Sequence, residues 1–480
     1  MHMIDIILLT IPKLEVLNPL IGPAALKAIA ERAGFSTRCL DYNLDMWRLC
    51  KPKGLAHCWV DNDSNFTNKE QFENLWKEHL EPIVDQYMLD LQNQEPAYIG
   101  ITVLSHWQHN MCNKFIEKIN ANLPSKIILG GPGVSPIYGK TQFNQGNIYA
   151  YVEGEGEQAL VEILRGNLHC PGVNGIPPQQ IENLNKLPFP DYSDFDLSKY
   201  SHKFRDPFSD PQGTDLLYIT GTRGCIRRCT FCDVGVIWPK FTGKTGKTIA
   251  KEMRYQLERH PEVKKFYFTD SLINGNQEQL NSMVNTLLEE NIQCKWGGQF
   301  IVRPPNTQTP KMFKRLADSG CERMLLGVES ASQKILNDMK KGMRVKDIYY
   351  TLEQCELNNI SVVLMMIVGY PTETEKEFRE NIEFLHNIKK YNDSGTIFQI
   401  SLGPTLRIYK GTPLAHHFEE KGIDFSDEGG WSYGDNDQKT RIERWFEMRN
   451  TAKDLGIKLS IESPLFLKAR YKKITGMDIE

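Results

Sequence analysis

The feature that most constrains this chain is an alternation, met twice, of short apolar runs rich in β-branched residues with stretches of helical periodicity. Asp5-Ile-Ile-Leu-Leu-Thr10 is followed by a loop containing Pro and Gly, a helical pattern from Ala24 to Ala33, a stop at Gly34, and a second run from Ser36 to Tyr42. Strand, helix, strand in that order is the unit of a parallel sheet, because parallel neighbours need a long crossover connection. The rhythm resumes after a polar, helix-rich insertion at about 44–95, with strands at 98–104, 126–129 and 149–152 and a helix over 110–121. A second series starts at Leu216, with strands at 217–220, 265–269, 294–300, 323–328, 362–368 and 396–402. Helices at 248–259, 277–290, 310–319, 332–339, 345–358 and 374–390 lie between them.

Single cores stop growing near roughly 250–300 residues, so a chain of 480 is expected to divide. The expected class is α/β: a doubly wound, Rossmann-like domain over 1–167, then a Pro-rich linker over 168–215 that includes Leu187-Pro-Phe-Pro-Asp-Tyr192. A parallel βα barrel, partial or full, is expected over 216–404, and a C-terminal accessory region over 405–480. Ligands are expected beyond the carboxyl ends of the strands in both sheets.

Lys and Arg number 57 against 60 acidic residues, so no global field draws the chain to nucleic acid, and none is expected as a partner. The apolar run Ile4–Ile11 is far shorter than the roughly 20 residues of a membrane span and lacks signal-peptide flanks, which sets a cytoplasmic expectation. Eleven cysteines, an odd number, do not read as a disulfide framework. Eight of them are scattered singly and read as small buried hydrophobes.

The other three are different. In Gly221-Thr-Arg-Gly-Cys225-Ile-Arg-Arg-Cys229-Thr-Phe-Cys232 they fall within eight residues, directly after a predicted strand. Three soft ligands from one loop can hold three corners of an iron–sulfur cube and leave the fourth iron open for a cosubstrate. Zinc would want a fourth ligand, and no further Cys or His lies nearby in sequence. Arg223, Arg227 and Arg228 would offset the charge of an anionic cluster.

This loop, with Phe231 directly before the third thiol, resembles the signature of the radical S-adenosylmethionine (SAM) superfamily. Phe266-Tyr-Phe-Thr-Asp-Ser-Leu-Ile-Asn274 resembles the family's second-strand motif, and Gly327-Val-Glu-Ser-Ala331 its fourth. The resemblance implies a [4Fe–4S] cluster on Cys225, Cys229 and Cys232, with Phe231, Asp270, Ser271, Asn274, Glu329 and Ser330 contacting SAM. Lys341-Gly342, Gly369-Tyr-Pro-Thr-Glu373 and Gly411-Thr-Pro413 fit the branch that joins a cobalamin-binding-like domain to the radical domain. So do Pro23-Ala-Ala-Leu-Lys-Ala-Ile-Ala30, Leu40-Asp-Tyr-Asn43, Gly130-Gly-Pro132 and Glu153-Gly-Glu-Gly-Glu157. By that resemblance Ser105, Gly130, Gly131, Glu153 and Gly154 are expected at cobalamin. One departure stands out: no Asp-x-His-x-x-Gly supplies a histidine beneath cobalt, while His106 and His109 follow the strand ending at Leu104.

The implied activity is SAM cleavage to a 5′-deoxyadenosyl radical followed by cobalamin-dependent methylation of an unactivated carbon in a small-molecule or peptide substrate. Flavodoxin or ferredoxin is the implied electron donor. A radical cyclase, oxidase or rearrangement enzyme without cobalamin, and a non-catalytic cobalamin or iron–sulfur sensor, are the competing readings. Two other motifs fail on their residues. Gly243-Lys-Thr-Gly-Lys-Thr248 lacks the first glycine of a phosphate loop, since Phe241 stands there. Glu153-Gly-Glu-Gly-Glu157 would repel a pyrophosphate with its own carboxylates.

Overall fold

Ile6–Thr10 (β1) is buried at all five positions: it is an inner strand, paired with Thr37–Asp41 (β2) and with Tyr98–Thr102 (β3), and helices pack over it. Such a strand has no solvent face, which is why its sequence runs apolar without alternation. The computed structural model describes residues 4–59, 64–134, 143, 147–200, 216–425, 430–461 and 464–479. They form two units, the described residues up to 200 making one and those from 216 onward the other.

In the first unit α1 (Ile21–Arg32) connects β1 to β2, and α2 (Tyr42–Cys50), α3 (Lys69–Leu75) and α4 (Glu81–Gln94) fill the insertion. After β3 come α5 (His109–Asn122), β4 (Lys126–Gly130), β5 (Ile148–Val152) and α6 (Gly156–Leu164). The sheet is parallel, in the order β2-β1-β3-β4-β5, so the direction of winding reverses between β1 and β3. The crevice outside the carboxyl ends at such a reversal is where open α/β sheets bind ligands.

The Pro-rich stretch expected as a linker is packed onto this unit as far as residue 200. Asp194 takes the Lys27 ammonium at 2.7 Å and the backbone N–H of Cys39 at 2.8 Å, and the Tyr200 hydroxyl donates to Asp41 at 2.7 Å. Isolated polar contacts of this kind leave no periodic signal in sequence. The remainder of that stretch, 201–215, lies outside the described residues.

The second unit opens with β6 (Leu216–Ile219), the two-residue antiparallel pair β7 (Thr222–Arg223) and β8 (Thr242–Gly243) around α7 (Val234–Ile237), and then α8 (Gly246–Arg259). It continues with β9 (Lys265–Phe268), α9 (Gln277–Glu289), β10 (Lys295–Phe300), α10 (Pro310–Asp318) and β11 (Cys321–Glu329). Next come α11 (Gln333–Asp338), α12 (Val345–Leu357), β12 (Ser361–Met366), α13 (Glu375–Asp393) and β13 (Ile397–Leu402). The chain ends with α14 (Pro413–Glu420), α15 (Gln438–Asp454), β14 (Leu459–Ile461) and α16 (Pro464–Thr475). Seven strands form one parallel sheet in the order β14-β13-β12-β11-β10-β9-β6, and among the described residues its edges do not pair into a closed barrel. The edge strand β14 comes from beyond residue 405; at three residues it is too short to show a period in sequence.

Candidate functional site

The three thiols sit on the loop between β7 and α7, past the carboxyl end of β6. All three are half-buried and none is in a disulfide. Burial pushes the Cys232 thiol up to about 11 and raises Cys229 as well, the Lys341 ammonium working against the latter rise. Desolvated thiols beside fixed cations become thiolates when a metal takes them, since the metal supplies the charge that water does not. The Arg227 N–H reaches Cys225 Sγ at 3.4 Å, and Arg228 Nη1 donates to the Cys225 carbonyl at 3.3 Å. Among the described residues no three His, Cys, Asp or Glu side chains converge tightly enough for a single ion. An iron–sulfur cube asks instead for thiolates spread over its corners, and a loop carrying three suits it.

The loop is held from both sides. At its start Asp270, past β9, is buried and accepts the backbone N–H of Gly221 at 3.0 Å and that of Thr222. Burial lifts the Asp270 carboxyl to about 6, with those N–H groups opposing the rise. Beyond Cys229, the Thr230 N–H donates to the Met339 carbonyl at 3.0 Å, its hydroxyl meets Tyr370 Oη at 2.8 Å, and its carbonyl accepts the Leu414 N–H at 2.9 Å. Phe231 packs on the apolar group of Met339, Tyr370, Leu406, Ile408, Phe418 and Trp431.

Behind the thiols lies an ion pair of the unit's interior. Lys341 Nζ meets Glu329 Oε1 at 2.6 Å. Glu329 ends β11 with φ of 63°, a left-handed conformation that costs a non-glycine residue on the order of 1 kcal/mol and more, where strain tends to mark function. Burial pulls the Lys341 ammonium down, yet Glu329 and the Cys229 thiol hold it above its ordinary value. At Gly342, with φ of 65°, an added Cβ would collide with the Arg227 guanidinium, so the cysteine loop lies directly on this turn.

Four of the six expected SAM contacts are buried. Asn274, with no exposed surface, clamps Ile301 by accepting its N–H at 2.9 Å and donating to its carbonyl at 2.9 Å, and Arg303 Nη2 bonds the Asn274 carbonyl at 2.7 Å. Ser330 donates to Asn381 Oδ1 at 3.1 Å, and the same oxygen accepts the Ala331 N–H at 2.7 Å. Asp270 and Glu329 are engaged as described above, while Ser271 and Phe231 are half-buried. Lys341, Asn381, Tyr370 and Arg303 had no role assigned from sequence. For Lys341 and Tyr370 a signal existed, in the Lys341-Gly342 pair and in Gly369-Tyr-Pro-Thr-Glu373.

In the first unit Ser105, Gly130, Gly131, Glu153 and Gly154 lie at or just past the carboxyl ends of β3, β4 and β5. Gly131 has φ of 106°, and a Cβ there would meet the Val103 carbonyl. His109 is buried with its Nε2 3.1 Å from the Gly133 carbonyl, and His106 stands edge-on to Trp107. Lys13, past β1, rests 4.9 Å from the Trp107 ring centre, so charge and aromatic surface meet at the β1–β3 reversal.

The chain is similar to several known proteins in sequence and in fold. Residues 219–385, from the end of β6 into α13, match the family described as the Radical SAM superfamily. An uncharacterized methyltransferase of Pyrococcus horikoshii is 24% identical over 308 residues, 60% of this chain and 64% of that protein, so the match spans less than two thirds of that relative. Bacteriochlorophyllide d C-12(1)-methyltransferase of Chlorobaculum tepidum is 22% identical, covering 71% of this chain and 72% of that one. The radical S-adenosylmethionine methyltransferase TsrM of Kitasatospora setae, solved with cobalamin and a [4Fe–4S] cluster bound, superposes with a TM-score of 0.65 at 16% identity. That superposition covers 87% of this chain and 78% of TsrM, and it shows a shared fold.

Proposed function

We propose, from the premise that this chain carries a radical SAM domain, that it is a cobalamin-dependent radical SAM enzyme that methylates an unactivated carbon. The observation that carries the proposal is the loop of three half-buried thiols at the carboxyl end of a parallel sheet, inside the span that matches the family. A [4Fe–4S] cluster bound there would supply the electron that cleaves SAM to a 5′-deoxyadenosyl radical, and a cobalamin would supply the methyl group.

The chain's own residues bind, orient and exclude water. Cys225, Cys229 and Cys232 would hold the cluster, with Lys341, Arg227 and Arg228 balancing its charge. Phe231, Ser271 and Glu329 are the expected SAM contacts that border the loop or its ion pair. Asp270, Asn274 and Ser330 serve the same site through the backbone they fix, since each spends hydrogen bonds on its neighbours. For cobalamin, the carboxyl edge of the first sheet offers Ser105, Gly130, Gly131, Glu153 and Gly154, at the ends of β3, β4 and β5 to one side of the winding reversal. His109 is engaged with the Gly133 carbonyl, so these five residues, rather than that imidazole, would hold the cofactor.

The test is anaerobic reconstitution with iron, sulfide and hydroxocobalamin, followed by desalting. Four irons per chain, retained corrinoid absorbance and 5′-deoxyadenosine under dithionite are expected, with a product heavier by one CH2. Four irons without corrinoid, and a product that has lost hydrogen or is an isomer, would replace methylation with a radical cyclase, oxidase or rearrangement. A loaded cluster that never yields 5′-deoxyadenosine would make the chain a sensor.

A further inference from the structure

The strained end of β11 is supported by residues far from it in sequence. A left-handed conformation at a residue such as Glu329 persists only where the surroundings over-determine it, and here they do. The Glu329 carbonyl accepts the Ile367 N–H at 2.9 Å. Ser330 donates its hydroxyl to Asn381 Oδ1 at 3.1 Å and accepts the Ser332 N–H at 3.1 Å, while the Ala331 N–H reaches the same Asn381 oxygen at 2.7 Å. Asn381, buried on α13, thereby spends its carbonyl on the two residues that follow Glu329.

The amide end of Asn381 faces Glu373 Oε2 at 3.5 Å, and Glu373 Oε1 accepts the Gly369 N–H at 3.2 Å. One buried carboxylate therefore joins the turn after β11 to the turn after β12. Burial lifts that carboxyl to about 7, and the Arg444 guanidinium leads the opposition to the rise. Arg444 is itself buried and comes from α15, in the C-terminal region. Its Nη1 donates to the Glu373 carbonyl at 3.1 Å and stands 3.5 Å from Oε1, and its Nη2 lies 3.4 Å from Glu375 Oε2. One turn earlier on α15, the stem of buried Arg441 lies where a Cβ on Gly369 would stand. The helix α15 thus bears on residues 369–373 at two points, and through Glu373 and Asn381 it bears on Glu329.

We infer that Asn381, Glu373 and Arg444 are positioning residues for SAM, a buried relay through which the C-terminal region sets the Glu329–Ser330 turn and with it the affinity for the cosubstrate. The inference rests on the proposed function, in which Glu329 is a SAM contact. Each member acts through the next: the guanidinium fixes the carboxylate, the carboxylate fixes the amide, and the amide fixes the turn. With a link removed, the turn relaxes toward an unstrained backbone and Glu329 leaves its place. Binding lost equally in the ground and transition states raises KM and leaves kcat alone.

The test uses the full, reconstituted chain with its cluster left oxidised, so that labelled SAM can be bound in equilibrium dialysis without turnover. Iron content is measured beside it, as are KM for SAM and kcat for 5′-deoxyadenosine formation under dithionite. Asn381→Leu should weaken SAM binding about tenfold or more and raise KM by the same factor, with iron at the parent level and kcat within about threefold. Arg444→Met should shift both in the same direction, and Arg444→Lys, which keeps a cation beside Glu373, should recover part of the loss. Asn381→Leu/Arg444→Met should bind SAM no more weakly than Asn381→Leu alone, because both act through Glu373. Losses that multiply in the double variant would overturn the relay, as would SAM affinity at the parent level in Arg444→Met, a result that decides the matter even if Asn381→Leu fails to hold iron. Either leaves the proposed function standing. A parent chain with four irons that binds no SAM would overturn the proposed function, and this inference with it.

Discussion

Lys341 Nζ and Glu329 Oε1 stand 2.6 Å apart, each residue 8% exposed, on two turns that close against the cysteine loop. A buried pair of this kind adds little over an apolar one, but removal of one partner strands the other charge in a medium that cannot solvate it. Lys341→Met should therefore cost about 3–5 kcal/mol in equilibrium urea unfolding, and Lys341→Met with Glu329→Gln should cost less than the single change. A double variant as unstable as the sum of its singles would show that the two side chains do not act as a pair.

Cys229→Ala should lose the cluster and SAM cleavage while the first unit stays folded, because the loop belongs to the other of the two compact units. Iron and sulfide analysis reads the first effect, and far-UV dichroism with limited proteolysis the second. Iron retained at the parent level would contradict the ligand assignment.

Asp270 sets a pH dependence whose sign follows from its environment. Burial lifts its carboxyl from the ordinary value of 3.8 to about 6, so between those values the folded chain holds a proton that the unfolded chain has released. The contribution of this group therefore falls as pH rises from about 4 to about 6 and is level above that window, a change of up to about 3 kcal/mol for two units. Asp270→Asn carries no such slope, whatever fixed cost its amide brings at Gly221. Denaturation midpoints of the two chains across pH 4–7 should diverge as pH falls, the parent gaining relative to the variant; parallel curves would refute the shift.

Gly246→Ala should destabilise by about 3 kcal/mol or more, because a Cβ there would run into the backbone of Met283 and Gln279 where α8 meets α9. This glycine belongs to the stretch that superficially resembles a phosphate loop. Its neighbour Lys244 is likewise committed inward, paired with Glu252 in the interior. A thermal midpoint within 1 °C of the parent would show that the helices give way at no cost.

The legible part of this protein was local. Alternating apolar runs and helical periods announce two parallel sheets, since burial on both faces leaves strands continuously apolar and crossovers must be helical. Three thiols in eight residues announce a cluster, since ligands of one centre from one loop must be close in sequence. The linker illustrates the limit, because Asp194 reaches Lys27 across 166 intervening positions of chain order that no window spans. Only the tertiary structure decided that Lys341 pairs with Glu329, that Asn381 holds Ser330, and that residues 409–414 lie beside the cysteine loop. Such contacts are made between residues far apart in sequence, chosen by how helices and strands pack, and periodicity and spacing carry no record of them.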